Sequence, residues 1–249
     1  MHTKFNLPIL QRSFAPALLL GAACALGTQS AAAQAPIKFK IKQGQIVTGE
    51  SCVAKVTVLG AAQGSTEFDY DYMIGAGVTI DGVEYEPWGP LDGALEGNLC
   101  DDGNPRKWYV PMVLPKHAEI GITGRSWVLV DPYSYDAGKA TEESDWMQYA
   151  TRRSQTLGSD RVVVLRDGDE VPETPGFAHQ PSAAEFIANY VDFTTSPATV
   201  RLGRNDVIYL FELGYSPAGA AGCDYQDLVV LVTLADQLLA LDAAGYACD

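Results

Sequence analysis

The chain has 249 residues and carries 31 acidic against 17 basic side chains, a net charge of −14. This excess of negative charge opposes binding to nucleic acid and to anionic membranes, and it suits divalent cations or simple solvation in a salty exterior. The sequence contains three histidines and no Cys-x-x-Cys pair, which argues against a structural zinc site.

Residues 1–33 have the pattern of a secretory signal peptide. Lys4 and Arg12 precede the apolar stretch 14–26, and the small-residue tract "TQSAAAQA" follows it. The apolar stretch is too short for a permanent anchor, and no later segment reaches the roughly 18 apolar residues of a spanning helix. We expect cleavage after Ala33 and a secreted or periplasmic protein with no transmembrane segment.

Residues 34–249 then form a single exported domain. Lys4 and Arg12 leave with the signal and no acidic residue does, so the net charge changes by two, from −14 to −16. The alternative is lipoprotein processing at Cys24, because "LLLGAAC" places small residues before a cysteine.

Four cysteines remain after cleavage, an even number that predicts two disulfides in an oxidising compartment. They are Cys52, Cys100, Cys223 and Cys248. Of the three possible connectivities, we favour Cys52–Cys100 with Cys223–Cys248.

Segments with alternating or continuous β-prone apolar residues follow one another along the chain. These predicted strands are 37–42, 53–59, a hairpin over 78–85, 107–114, 125–130, 161–166, 206–213 and 228–234. Asp81-Gly82 in the hairpin is typical of a two-residue type I′ turn. Many short strands joined by irregular loops predict a mainly β fold, an antiparallel, jelly-roll-like β-sandwich.

Helical patterns are few. A short helix is predicted over 182–190, with Ser182 and Glu185 as its capping box, and a C-terminal helix over 235–245. A further short helix is compatible with 142–150. The acidic, proline-rich excursion 167–181 is either a mobile surface loop or a seam between two subdomains.

Acidic side chains recur in the stretch "EFDYDY". As a strand it would place Glu67, Asp69 and Asp71 on one face, where they are either solvated or bridged by a cation. Together with Trp88 they form a possible ligand surface. Paired carboxylates here, or Glu84 and Glu86 beside Trp88, are also the basis for a glycosidase hypothesis.

The unit "DVIYLFELGYSPAGAAGCDYQDLVVLV" runs from one predicted strand through a small-residue loop into another. It resembles the C-terminal signature of bacterial secreted and cell-surface domains of unknown function, in which F-E-D, a glycine-rich loop and D-[YF]-N-D-[LIV]-V close a β-sandwich. The resemblance covers about 35 residues and departs from the signature at Leu213 and Gln226. It implies that Glu212, Asp224 and Asp227 hold Ca²⁺.

Residues alone leave a second interpretation open, in which Asp224 and Asp227 cap backbone N–H groups without any metal. The leading functional hypothesis is a non-catalytic exported β-sandwich, stabilised by calcium, that contacts cell-surface or matrix polysaccharide or protein. The alternatives are a secreted polysaccharide hydrolase that uses paired carboxylates and a periplasmic ligand-binding protein.

Overall fold

The protein is described by a computed structural model. The described residues are 36–64, 70–100, 106–132, 140–156, 160–172, 180–214, 223–238 and 241. The predicted signal peptide, residues 1–33, and Cys24 within it lie outside them.

Strands dominate these residues. They are β1 Phe39–Lys42, β2 Gln45–Thr48, β3 Val53–Gly60, β4 Met73–Ile80, β5 Val83–Tyr85, β6 Arg106–Tyr109, β7 Glu119–Leu129, β8 Trp146–Arg153, β9 Val162–Leu165, β10 Val191–Asp192, β11 Thr199–Val200, β12 Asp206–Phe211 and β13 Leu228–Ala235. A short α-helix, α1, covers Ala183–Phe186, and 3-10 turns cover Glu143–Asp145 and Ala188–Tyr190.

The strands form two large antiparallel sheets. In the first sheet the order is β1-β2-β7-β4-β5, with β8 pairing β7 as well, and in the second it is β6-β3-β13-β12-β9. Strands β10 and β11 form a separate small sheet. The main core combines side chains of both large sheets, such as Ile74 and Ile122 from the first with Val56 and Val230 from the second. The predicted antiparallel β-sandwich is therefore confirmed.

Strands β12 and β13 are buried on both faces. Tyr209 and Val230 point into the main core, whereas Ile208 and Leu231 pack beneath the segment that carries α1. A strand covered on both sides needs apolar residues at every position rather than at alternate ones. This explains why 228–234 is a continuous apolar run.

Two local predictions are confirmed. Asp81 and Gly82 both have positive φ, 49° and 81°, as a type I′ turn requires, and the turn joins β4 to β5. The backbone N–H of Glu185 donates to Ser182 Oγ (3.2 Å) and the backbone N–H of Ser182 donates to Glu185 Oε2 (2.6 Å), which is the predicted capping box.

Other predictions differ from the structure. The segment 142–150 makes only one 3-10 turn before β8, because Trp146 onwards pairs with β7 as an antiparallel strand. Strand β2 carried no clear pattern in the sequence, and β6 covers only the four residues Arg106–Tyr109, whereas a strand over 107–114 was predicted. Of the predicted C-terminal helix 235–245, residues 239–240 and 242–245 lie outside the described residues, Leu238 and Leu241 are helical, and Ala235 belongs to β13.

The predicted Cys52–Cys100 disulfide is wrong, because both residues are free thiols. Cys52 adjoins the start of β3, whereas Cys100 donates its S–H to Tyr72 O (2.9 Å), and Tyr72 N–H donates to Gln63 O beyond the end of that strand. Eight residues of strand separate the two ends, about 25 Å, while a disulfide needs Cα atoms within about 7 Å. Cys223 is a buried thiol, and Cys248 lies outside the described residues.

The acidic, proline-rich excursion is only partly described. Residues 173–179 of the predicted excursion 167–181 lie outside the described residues, and Glu170 within it pairs with Thr199 in an isolated bridge. In the part of the chain that the structure describes, no helix is both long enough and apolar enough to cross a membrane.

The cover over the outer face of β12 and β13 generates a prediction. Ile187 is fully buried there, so Ile187→Ala should lower the free energy of unfolding by about 2–4 kcal/mol through lost packing and a residual cavity. Phe193→Ala, at a side chain that is 62% exposed, should change it by less than about 0.5 kcal/mol. Urea unfolding measures both free energies. If Ile187→Ala lowered the free energy of unfolding as little as Phe193→Ala, this cover would not stabilise the sheet.

Candidate functional site

The candidate site lies where β12 ends and β13 begins. These strands are antiparallel neighbours, and Phe211 pairs with Leu228 at the end of the ladder. The next residue on each strand, Glu212 and Asp227, therefore meet at the same edge of the sheet. Glu212, Asp224 and Asp227 are all buried, with 1%, 3% and 4% of their surfaces exposed. The structure thus brings the three predicted ligands together.

Backbone N–H groups engage the carboxylates of Glu212 and Asp227. Leu213 N–H and Gly214 N–H both donate to Asp227 Oδ2, at 2.5 and 3.1 Å. Gly214 N–H also donates to Glu212 Oε1 (2.8 Å), and Asp224 N–H donates to Glu212 Oε2 (3.1 Å). The two side chains therefore fasten both ends of the connection between β12 and β13.

Asp224 stabilises its own turn. Its carboxylate accepts the backbone N–H of Gln226, two residues on, which is the arrangement of an Asx turn. Tyr225, between them, has φ of 56° in the left-handed region, and its hydroxyl donates to Asp160 O (2.8 Å). The capping that the residues alone left open is therefore present in the structure.

The three carboxylates are electrostatically strained. Burial, followed by repulsion from Glu212, raises the pKa of Asp224 to about 6. Burial also raises the pKa of Asp227 well above its usual range, and Glu212 and Asp224 add to that rise. The pKa of Glu212 is raised by burial although backbone N–H donors and Arg161 oppose the rise. Ionising all three groups together therefore costs free energy unless positive charge compensates it.

Two glutamine side chains, Gln63 and Gln226, lie near the carboxylates, and Gln226 Nε2 donates to Gln180 Oε1 (2.6 Å). Gln226 precedes Asp227, and a Cβ on Gly214 would collide with Glu212 Oε1 and lie 3.5 Å from Gln63 Nε2. Gln63 and Gln226 are 6% and 0% exposed, and within the described residues the Oε1 atom of each is buried without a hydrogen-bond partner. A buried, unsatisfied acceptor is costly unless a donor or an ion meets it.

This donor set fits a hard cation in chemistry. Calcium takes six to eight oxygens from carboxylates and amide or backbone carbonyls. The positions of these groups do not match a metal site as they stand. Among the described residues, no group of three or more His, Cys, Asp or Glu side chains is placed to hold a metal ion. Calcium at Glu212, Asp224 and Asp227 would therefore compete with the backbone hydrogen bonds that these carboxylates accept.

The other predicted ligand surface is not a single site in the described residues. Glu67 and Asp69 lie outside them, and Asp71 is exposed, with Gly64 as its bridge partner. Asp71 and Asp227 both act on the Cys100 thiol, whose pKa is raised to about 12 mainly by burial. Asp71 therefore belongs to the same end of the sandwich as the carboxylate cluster, whereas Trp88 packs against the main core.

Two arginines near the site were not predicted. Arg152 and Arg161 donate to Gly214 O, at 3.2 and 3.3 Å, from β8 and from the residue before β9. They add positive charge beside the buried carboxylates. Neither position stands out in the sequence, because the two residues reach Gly214 only through the pairing of β7 with β8 and of β9 with β12.

Comparison with known proteins adds no assignment. No protein-family model matches the chain, and neither a curated protein nor a solved structure matches it. The resemblance to the signature of secreted and cell-surface domains therefore stays a prediction.

The raised pKa values predict how stability depends on pH when a chelator is present. A carboxylate with a raised pKa in the folded protein binds its proton more tightly there, so its stabilising effect is complete below its unfolded pKa and disappears as the pH rises through its folded pKa. For Asp224 this window runs from about 4 to about 6. The free energy of unfolding from urea titrations should therefore fall over that interval, by on the order of 1–3 kcal/mol.

Asp227→Asn should flatten this profile. The substitution removes a carboxyl group whose raised pKa contributes to this fall, and the asparagine oxygen can still accept from Leu213 N–H and Gly214 N–H. The exposed Asp236, changed to Asn, is the matched control and should leave the profile as it is. A profile of the unaltered protein that is flat or rises between about pH 4 and about pH 6 would contradict this account of the cluster.

Proposed function

We propose that the protein is an exported, non-catalytic β-sandwich that binds calcium with Glu212, Asp224 and Asp227 and acts in cell-envelope, matrix or adhesive contacts. The observation that carries the proposal is the burial of these three carboxylates at one strand junction.

Charge balance supports a divalent ion there. Three buried, mutually repelling carboxylates are held at neutral pH either by protons or by cations, and calcium is abundant outside cells. Arg161 lowers the pKa of Glu212, and desolvation nevertheless remains the larger effect. A bound ion would tie the end of β12 to the start of β13 and make the loop between them rigid. Rigidity of this kind suits a protein that presents a surface to partners.

Contacts of the other acidic candidates favour the non-catalytic proposal over a polysaccharide hydrolase. Glu84 accepts a hydrogen bond from Thr123 Oγ1 (2.8 Å) and pairs with Arg125 (3.9 Å). Glu86 Oε1 accepts Leu91 N–H (3.1 Å) in the loop that follows β5. Both carboxylates therefore have structural partners, and a hydrolase built on them would have to release these contacts.

Calcium should raise the unfolding temperature of the exported protein at neutral pH. An ion bound by the folded state alone stabilises it by about 2.7 kcal/mol at one hundred times its dissociation constant. Thermal unfolding in millimolar calcium should therefore occur at a higher temperature than in chelator. Magnesium should shift the curve less, because it retains its waters and demands octahedral geometry.

Variants assign the effect to the site. Asp224→Asn and Glu212→Gln each remove a charged ligand and should reduce the calcium-dependent shift, while Asp236→Asn should leave it unchanged. Coincident melting curves with calcium and with chelator would refute calcium binding. A shift that survives both site variants would place the ion elsewhere in the protein.

A further inference from the structure

A second polar site lies at the opposite end of β12. It is a cleft of about 590 Å³ between β1, the turn after β9 and the turn before β12. Asp206, the first residue of β12, lines it, while Glu212 follows the last residue of that strand. Six strand residues at about 3.3 Å each place the cleft about 20 Å from the carboxylate cluster. Its volume is within the range of small-molecule binding pockets.

Three cationic side chains line this cleft in a protein with strong negative charge. They are Lys38, Arg166 and Arg204, and all three are exposed. Within the described residues none of them has a carboxylate oxygen within 4.0 Å as a salt-bridge partner. The guanidinium carbon of Arg166 lies 4.9 Å from the ring centroid of Phe39, so the ring helps to position this cation. The cleft therefore presents three cationic groups to a ligand alongside three aspartates, Asp167, Asp169 and Asp206.

The aspartates of the cleft hold the backbone rather than the arginines. Asp169 Oδ2 accepts Arg166 N–H (2.7 Å), and Asp206 Oδ2 accepts Gly203 N–H (3.1 Å). Asp167 Oδ1 accepts Leu202 N–H (3.0 Å). These bonds fix the turns that carry Arg166 and Arg204. Asp167 and Asp169 are exposed, so their second carboxylate oxygens are acceptors for a ligand hydroxyl group.

We propose that this cleft binds an acidic saccharide, a sugar chain whose units carry both carboxylate groups and hydroxyl groups. The carboxylate of the ligand binds Arg166 and Arg204 through charge-assisted hydrogen bonds, with Lys38 adding a third positive charge. Ligand hydroxyl groups donate to Asp167 and Asp169. Inorganic phosphate satisfies the cations only, and a neutral sugar satisfies the aspartates only. An acidic sugar satisfies both.

The saccharide site is independent of calcium at the other end of the strand. Its contacts come from β1 and from the turns beside β9 and β12, and none comes from Glu212, Asp224 or Asp227. Binding measured in excess chelator therefore tests the cleft alone. Failure of the calcium proposal would leave the saccharide result unaffected, and the reverse also holds.

The proposal is tested by isothermal titration calorimetry. Trigalacturonate is titrated into the exported protein in the presence of chelator and at low ionic strength. The unaltered protein should bind, and added salt should weaken binding because the contacts are exposed ion pairs. Arg166→Ala combined with Arg204→Ala should raise the dissociation constant at least about tenfold. Arg166→Lys with Arg204→Lys keeps the charges and should bind better than the alanine pair.

The matched control removes two exposed positive charges elsewhere, through Lys116→Ala with Arg153→Ala, and should retain binding. Equal weakening by this control would show non-specific attraction of a polyanion and overturn the proposal. Equal binding of maltotriose, or displacement of trigalacturonate by an equal concentration of inorganic phosphate, would also overturn it. Absence of any heat of binding at millimolar trigalacturonate would do the same, provided that circular dichroism shows a folded protein.

Discussion

The pairing of β12 with β13 in the middle of the second sheet is the constraint on which the rest of the structure depends. The two strands are covered by the main core on one face and by the segment around α1 on the other. Their register, Phe211 opposite Leu228, brings Glu212 and Asp227 to one edge and leaves Asp206 about 20 Å away at the other. Both polar sites are therefore positioned by one apolar hairpin.

Burial explains why this hairpin ends in carboxylates. The connection between the strands leaves backbone N–H groups of Leu213, Gly214 and Asp224 in a desolvated region, and each must find an acceptor. Carboxylates are strong acceptors, but three of them in a small volume repel one another and take up protons or a cation. The same feature thus closes the hairpin and is the basis of the predicted pH dependence and of the proposed calcium site.

Local and periodic signals in the sequence predicted much of the fold. Asp81-Gly82 predicted the turn between β4 and β5, and Ser182 with Glu185 predicted the start of α1. The β-prone apolar patterns predicted strands of both sheets. The sequence left a short helix possible over 142–150, whereas Trp146 begins a strand because pairing with β7 overrides a weak local preference. The predicted Cys52–Cys100 disulfide is wrong because the number of cysteines carries no information on the distance between them.

The three carboxylates were predictable as a set from one short unit of sequence. Lys38, Arg166 and Arg204, in contrast, come from three distant segments and meet only in the folded chain.

The most direct test of the central claim is a crystal structure of the protein grown with calcium, with anomalous scattering collected at a wavelength where calcium contributes. We expect an anomalous peak with oxygens of Glu212, Asp224 and Asp227 at about 2.3–2.6 Å. The contrary result is an ordered site without such a peak, in which Asp227 still accepts the N–H groups of Leu213 and Gly214. That result would establish these carboxylates as backbone caps that hold protons rather than metal.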